Sequence, residues 1–411
     1  MILDADLPHD PPADGAAPAA RKRIRGRADL ALHGAPAAFA EPLHVGRPNI
    51  GSRERFLGLA NELLDRRWLT NNGPLLQELE RRLAAYLGVR HVVAMCNGTV
   101  ALEIAIRALG LRGEVILPSY TFVATAQALQ WQEITPVFAD IDPATHNIDP
   151  AAVERMITPR TSGIIGVHLW GRAAPVDELA EIARRHDLAL MFDAAHAFGA
   201  SYRGRRIGAF GRAEVFSFHA TKFFNTFEGG AVTTNDDDLA RAMRYMRNFG
   251  FEDFDRVVHP GTNGKMTEIC AAMGLTNLDV LPAVVDANRA RHRDYTEALS
   301  AIPGVRVPAY DPAEASNFQY VVAEIDHGFP VTRDAIVAAL HAEGILARKY
   351  FWPGCHNMQP FRSLYPHAGL LLPHTTDVAA RVIVLPTGPT LPVDAIDTVA
   401  DVIRVLRDAA P

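Results

Sequence analysis

The sequence predicts an α/β protein: a mainly parallel sheet with helices on both faces, followed by a smaller C-terminal α/β lobe. Three observations lead there. Short apolar runs recur at Val92–Met95, Val115–Leu117, Val137–Ala139, Ile164–Val167, Leu188–Phe192 and Val215–Phe218, most of them separated by helical or turn-rich stretches. Continuous apolar strands separated by crossover-length segments indicate parallel strands buried on both sides. At 411 residues the chain exceeds the size at which a single core usually stops growing, so two lobes are expected. From about Pro303 the rhythm changes to a strand-like Phe318–Ile325, a helix at Thr332–Glu343 and a last helix at Val393–Asp408.

Taken in order, residues 1–40 are rich in Ala, Pro, Asp and Arg and show no apolar periodicity, which predicts a disordered leader. Its basic cluster, Arg21-Lys22-Arg23-Ile24-Arg25-Gly26-Arg27, precedes no apolar core of the kind a secretory signal needs. The large domain is assigned to residues 41–280, and a linking helix with the small domain to 281–411. A helix over Gly51–Arg67 ends in a turn carrying Asn71, Asn72, Gly73 and Pro74. Leu75, Leu79, Leu83 and Leu87 then recur at helical spacing until Gly88 stops the run. After the strands, a helix from Asp236 to Phe249 opens on three aspartates at its positive end. Two more helical patterns cover Thr267–Leu275 and Leu281–Leu299.

A formal charge of -6 argues against a nucleic-acid surface spread over the fold. No run approaches the roughly 20 apolar residues that cross a bilayer, so no membrane partner is expected. Cys96, Cys270 and Cys355 lie far apart without zinc-type spacing. They read as reduced thiols of a cytoplasmic protein, with no metal site.

The stretch Ser217-Phe218-His219-Ala220-Thr221-Lys222, followed by Glu228-Gly229-Gly230, carries the chemistry. It follows the carboxyl end of a predicted buried strand, where ligands sit in open α/β sheets, and the glycine pair is read as a tight turn. A lysine there loses hydration, reaches its amine form more easily and can attack a carbonyl. The motif resembles the lysine motif of the DegT/StrS-type nucleotide-sugar aminotransferases, and the likeness runs from about Arg47 to the C-terminus. The resemblance implies the fold-type-I aminotransferase architecture with its seven-stranded sheet. It also implies pyridoxal 5'-phosphate as cofactor, carried covalently by Lys222.

The other cofactor contacts follow from strand ends and from the same likeness. Asp193 ends a strand, where an unpaired charge is costly, and a protonated pyridine nitrogen would relieve it; an N-cap aspartate is the alternative. His196 stands where the family more often has glutamine, near the cofactor's phenolic oxygen. Asn97-Gly98-Thr99 joins a strand to a helix, so backbone amides and the helix dipole would favour a phosphate at Gly98 and Thr99. Ser217 matches the family serine that also contacts the phosphate. Phe122 is expected to stack on the ring face, with Tyr120 as runner-up. Gly261-Thr262-Asn263-Gly264-Lys265-Met266-Thr267-Glu268 resembles a family segment whose asparagine reaches the neighbouring subunit's phosphate. Asn263 therefore implies a homodimer with shared active sites.

The resemblance further implies glutamate as amino donor and a nucleotide-linked keto sugar as acceptor. Arg348, Lys349 and Tyr350, with His219, are the candidate substrate residues, and this stretch looks most like the dTDP-4-keto-6-deoxyglucose 4-aminotransferase subgroup. Asn357 and Gln359 depart from the charged residues expected there, so a 3-keto-sugar aminotransferase is the alternative. A sugar dehydratase of this fold would carry histidine in place of Lys222, and a non-catalytic relative would have lost Lys222 or Asp193. A dinucleotide oxidoreductase would show a G-x-G-x-x-G after an early strand, and none is present.

Overall fold

The computed structural model describes residues 21–409. Seven strands form the large sheet: β1 (His91–Met95), β2 (Glu114–Pro118), β3 (Thr135–Ala139), β4 (Thr161–Val167), β5 (Ala189–Asp193), β6 (Ala213–Ser217) and β7 (Gly230–Thr234). Their order across the sheet is β1-β7-β6-β5-β4-β2-β3. Only β7 runs against its neighbours, pairing antiparallel with both β1 and β6. Alternate residues point to opposite layers, as strand geometry requires. Val93, Met95, Val115, Leu117, Met191 and Val215 pack under helices Gly98–Ala108, Val123–Gln130 and Asp237–Met246. Val92, Ala94 and Phe216 face the layer of helices Pro74–Leu87 and Glu268–Asp279, while Ile116, Ile164 and Phe192 face helix Val176–Arg185.

The expected helices form with small shifts at their ends. Ser52 caps helix Arg53–Arg66 by accepting from the Arg55 N–H, and Gly88 ends helix Pro74–Leu87 in the left-handed conformation at φ 69°. Asp236 caps Asp237–Met246 through the N–H groups of Asp238 and Leu239. The small lobe has an antiparallel sheet of β8 (Val305–Arg306), β9 (Val321–Ile325) and β10 (Val382–Leu385). β10 was not expected from the sequence; a four-residue apolar run directly after helix Pro373–Arg381 gives too short a pattern to separate strand from helix. Helix Leu281–Ser300 bridges the lobes, with Leu281 in a large-lobe cluster and Tyr295 and Leu299 in the small-lobe core.

The leader expectation is corrected over residues 21–40; residues 1–20 lie outside the described residues. Ile24, Leu30 and Leu43 are buried in the small-lobe core beside Ile336, Leu340 and Ile403. Two residues of the basic cluster are paired internally. Arg21 meets Asp397 and Asp401, and Lys22 meets the buried Glu343 at 2.7 Å. Glu343 also accepts from the Ala31 and Ala38 N–H groups. A two-residue strand, Leu43–His44, then pairs with Ile345–Leu346, so the first part of the range assigned to the large domain packs with the small one. Three isolated apolar residues have no period to detect, and the partners that order them lie roughly 300 residues away in sequence.

Candidate active site

The carboxyl ends of β1, β2, β5 and β6 open on one cavity of about 300 Å³. Its walls include Gly98, Thr99, Phe122, Asp193, His196, Ser217, His219, Lys222 and Tyr350, which are nine of the sequence-predicted residues. Asn263, Arg348 and Lys349 are not among them.

Lys222 is set by the loop between β6 and β7. Its N–H donates to the His219 carbonyl, and Phe223 and Phe224 bury their rings in the core beneath it. Three asparagines tie the loop down. The Asn49 amide donates to the Phe223 carbonyl, that of Asn225 to the Asn49 carbonyl and that of Asn277 to the Asn225 carbonyl, all at 2.8 to 2.9 Å. Enclosure of the amine lowers its pKa to about 8, because burial disfavours the ammonium more than Asp193 and Tyr350 favour it. The nearest polar atom recorded for Nζ is the Tyr320 hydroxyl, at 3.2 Å.

The glycine pair has a different cause from the tight turn expected of it. Neither Gly229 nor Gly230 has a positive φ. A Cβ on Gly230 would lie 2.7 Å from the backbone of Asn97 and Gly98, so the small residue is needed for close approach of β7 to that loop.

Asp193 is buried at the end of β5. Its Oδ2 accepts from the Thr125 hydroxyl at 2.8 Å and its Oδ1 from the Ala195 N–H at 3.0 Å. Burial raises its pKa, while those two hydrogen bonds, then Lys222 and His168, pull it down. His196 is held well below the usual imidazole range by burial and by Lys222. It packs against Trp170, Tyr320 and Phe351, and its Nδ1 accepts from the Trp170 N–H at 3.4 Å, which assigns the single proton to Nε2.

At the opposite wall, Asn97 caps helix Gly98–Ala108 by accepting from the Val100 N–H at 2.8 Å. Gly98 and Thr99 precede the first intrahelical donor, the Ala101 N–H that bonds the Asn97 carbonyl, so their own N–H groups remain available to an anion. Ser217 lies against them: a Cβ on Gly98 would stand 3.4 Å from its Oγ. Phe122, 55% exposed, covers the cavity from the loop after β2, whereas Tyr120 is fully buried and donates to the Tyr350 carbonyl. Of the two, Phe122 lines the cavity and Tyr120 does not.

His219 sits at the rim, bonded to the Thr221 hydroxyl at 2.8 Å and 3.5 Å from Glu228. Lys349 is paired with Asp334 at 3.4 Å, and the Arg348 guanidinium lies 4.8 Å from the Tyr350 ring centroid. Thr125, Trp170, Tyr320 and Phe351 complete the site and were not singled out in the sequence. Thr125 lies in the same run as Phe122, one helical turn on, which is the one local signal available. Tyr320 and Phe351 come from the small lobe, and nothing in the local sequence ties them to Lys222.

A model of the DegT/DnrJ/EryC1/StrS aminotransferase family matches residues 51–404. The chain is 35% identical over 367 residues to the dTDP-4-amino-4,6-dideoxy-D-glucose transaminase of Shigella dysenteriae, covering 89% of this chain and 100% of that one. It is 37% identical over 370 residues to the GDP-perosamine synthase of Caulobacter vibrioides, covering 89% and 96%. The crystal structure of DesI in the presence of its TDP-sugar product superposes with a TM-score of 0.89 at 51% identity, covering 93% of this chain and 97% of that one. With the lysine-centred cavity and a family match over most of its length, the chain belongs to the DegT/DnrJ/EryC1/StrS aminotransferase family and is an aminotransferase.

Proposed function

We propose that the protein transfers an amino group from glutamate to a dTDP-linked 4-keto-6-deoxy sugar, giving dTDP-4-amino-4,6-dideoxyglucose, with pyridoxal 5'-phosphate held on Lys222. One observation carries this reading: a low-pKa lysine amine and a buried carboxylate share a cavity with an uncapped pair of helix amides. The relatives supply the sugar class, since the Shigella dysenteriae protein is a dTDP-4-amino-4,6-dideoxy-D-glucose transaminase.

The residues present fit the cofactor. Asp193 is buried, its two hydrogen-bond donors are neutral and its pKa is raised by burial, so a protonated pyridine nitrogen would supply a counter-charge. Gly98, Thr99 and Ser217 would hold the phosphate, Phe122 would cover one ring face, and the Nε2–H of His196 would donate to the phenolic oxygen. When bound, pyridoxal phosphate supplies an electron sink for negative charge at the amino-bearing carbon. Lys222 then moves the proton at that carbon, first for glutamate and later, in reverse, for the sugar; ping-pong kinetics are expected.

Asn263 is proposed to complete the phosphate site of a second subunit, in a homodimer with shared active sites. Arg348, Lys349, Tyr350 and His219 are proposed to meet the nucleotide sugar from the rim. Among the described residues no single helix is long and apolar enough to cross a membrane. The three cysteines are free, which fits the proposed cytoplasmic setting.

The test is a panel of dTDP- and GDP-linked 4-keto sugars and dTDP-linked 3-keto sugars, with glutamate as donor and products identified by mass and NMR. Amination of the dTDP-linked 4-keto sugar supports the proposal. The likeness to a GDP-perosamine synthase makes a GDP-linked sugar the second reading, and a 3-amino product would redirect the assignment. Lys222→Ala should abolish turnover, and borohydride reduction of the wild type followed by peptide mapping should place the label on Lys222. A label on any other residue would remove the mechanism.

A further inference from the structure

Tyr320 precedes β9 in the small lobe, yet its hydroxyl reaches the large-lobe lysine. The two atoms are 3.2 Å apart, while Nζ lies 5.8 Å from the Tyr320 ring centroid. An ammonium seated over the ring would be closer to the centroid than to the oxygen, so the contact is an end-on hydrogen bond and not a cation–π contact. The ring is fixed on several sides. His196 packs against it at 4.6 Å, Trp170 at 5.4 Å, and Tyr310 donates to its carbonyl at 3.3 Å.

We propose that Tyr320 is a positioning residue for the Lys222 amine, its hydroxyl giving Nζ a fixed hydrogen-bonding seat inside the cavity in both protonation states. The inference rests on Lys222 being the reactive amine. Burial pushes the phenol far above its usual range, so it stays neutral and is no base. A neutral hydroxyl can donate its proton to the free amine, or rotate and accept from the ammonium. The amine must leave and re-enter the reacting position once in each half-reaction, and a fixed partner shortens the set of places it can occupy meanwhile. The other titratable groups facing Nζ are Asp193, His196 and Tyr350. None of them is recorded in a hydrogen bond with it, so Tyr320 is its one recorded polar anchor among the described residues.

The experiment uses Tyr320→Phe, which keeps the ring and its packing and removes only the oxygen. In the full-length protein stripped of cofactor, the pH dependence of Lys222 acylation by acetic anhydride is followed by peptide mapping. A charged donor loses more than a neutral one when its acceptor is removed, so the midpoint should fall by about one unit. In the holoenzyme kcat should drop about tenfold with KM nearly unchanged. Tyr295→Phe, which removes a buried small-lobe hydroxyl bonded to the Pro386 carbonyl and to nothing at the cavity, should leave the midpoint in place. An unmoved midpoint in Tyr320→Phe, or an equal shift in Tyr295→Phe, would overturn the proposal. Because the acylation readout needs neither cofactor nor sugar, its failure is distinguishable from failure of the substrate assignment, and absence of label at Lys222 after borohydride reduction would instead sink the reading on which it rests.

Discussion

Burial pushes the Asp193 carboxyl above its usual range, and little opposes it. Two hydrogen bonds oppose its burial, and one of them comes from a hydroxyl that a single substitution removes without changing side-chain shape. Thr125→Val should raise the carboxyl pKa further and weaken its hold on a protonated ring nitrogen. A fall of about tenfold in kcat/KM is expected, with a shift of the acidic limb of the pH profile to higher pH; an unchanged profile would show that the hydroxyl is idle. Lys222 gives a stability prediction of its own. Its folded pKa of about 8 lies below the unfolded value of 10.5, so between those values the unfolded chain binds the extra proton. The cost of burying the ammonium is full below pH 8 and fades as pH rises toward 10.5. Cofactor-free Lys222→Met should therefore be more stable than the cofactor-free parent at pH 7, by about 3 kcal/mol, and most of the difference should close by pH 10.5. Urea denaturation at the two pH values checks it, and a constant difference would mean that packing, not charge, separates the two proteins.

Among the elements, the segment containing Asn263 does a job that its motif does not announce. Glu268, at the end of the G-x-N-x-K-M-x-E run, is buried, and its carboxylate accepts from the Leu75 and Leu76 N–H groups at 2.8 Å each. It caps helix Pro74–Leu87 from almost 200 residues away, in place of the side chain that Gly73 lacks. The fit leaves no room: a Cβ on Gly73 would stand 2.4 Å from the Glu268 carboxyl carbon. Glu268→Ala should cost about 3 kcal/mol, since it strands two buried donors, and the loss should appear as a lower urea midpoint with the m-value unchanged. A change of a few tenths would mean that water replaces the carboxylate. The strands were legible because burial on both faces leaves an unbroken apolar run bounded by polar turns. Glu268's role was not, because a cap supplied in trans leaves no trace beside the helix it closes. Tyr320 and Trp170 escaped for the same reason: their partners are set by how the lobes meet, which no local period encodes. The place of Lys222, Asp193 and Gly98 at the cavity was legible because each lies at the end of a readable strand or within five residues of it.

At the scale of the molecule, residues 21–44 bind the small lobe together. They place Ile24, Leu30 and Leu43 in its core and deliver Lys22 and two backbone N–H groups to the buried Glu343. Yet the family match begins at residue 51. Deleting residues 1–44 should leave every cavity residue in the chain and still destabilise it by about 5 kcal/mol or more, from three lost apolar side chains and an orphaned carboxylate. Calorimetry would show this as a lower first transition; an unchanged profile would mean that these residues do not pack.

The amine of Lys222 and the carboxylate of Asp193 belong to one lobe, and the Tyr320 hydroxyl belongs to the other. Any hinge opening that draws the phenol back must therefore alter the basicity of a single nitrogen. An acid–base titration of that nitrogen becomes a gauge of inter-lobe spacing, readable in solution without an attached probe.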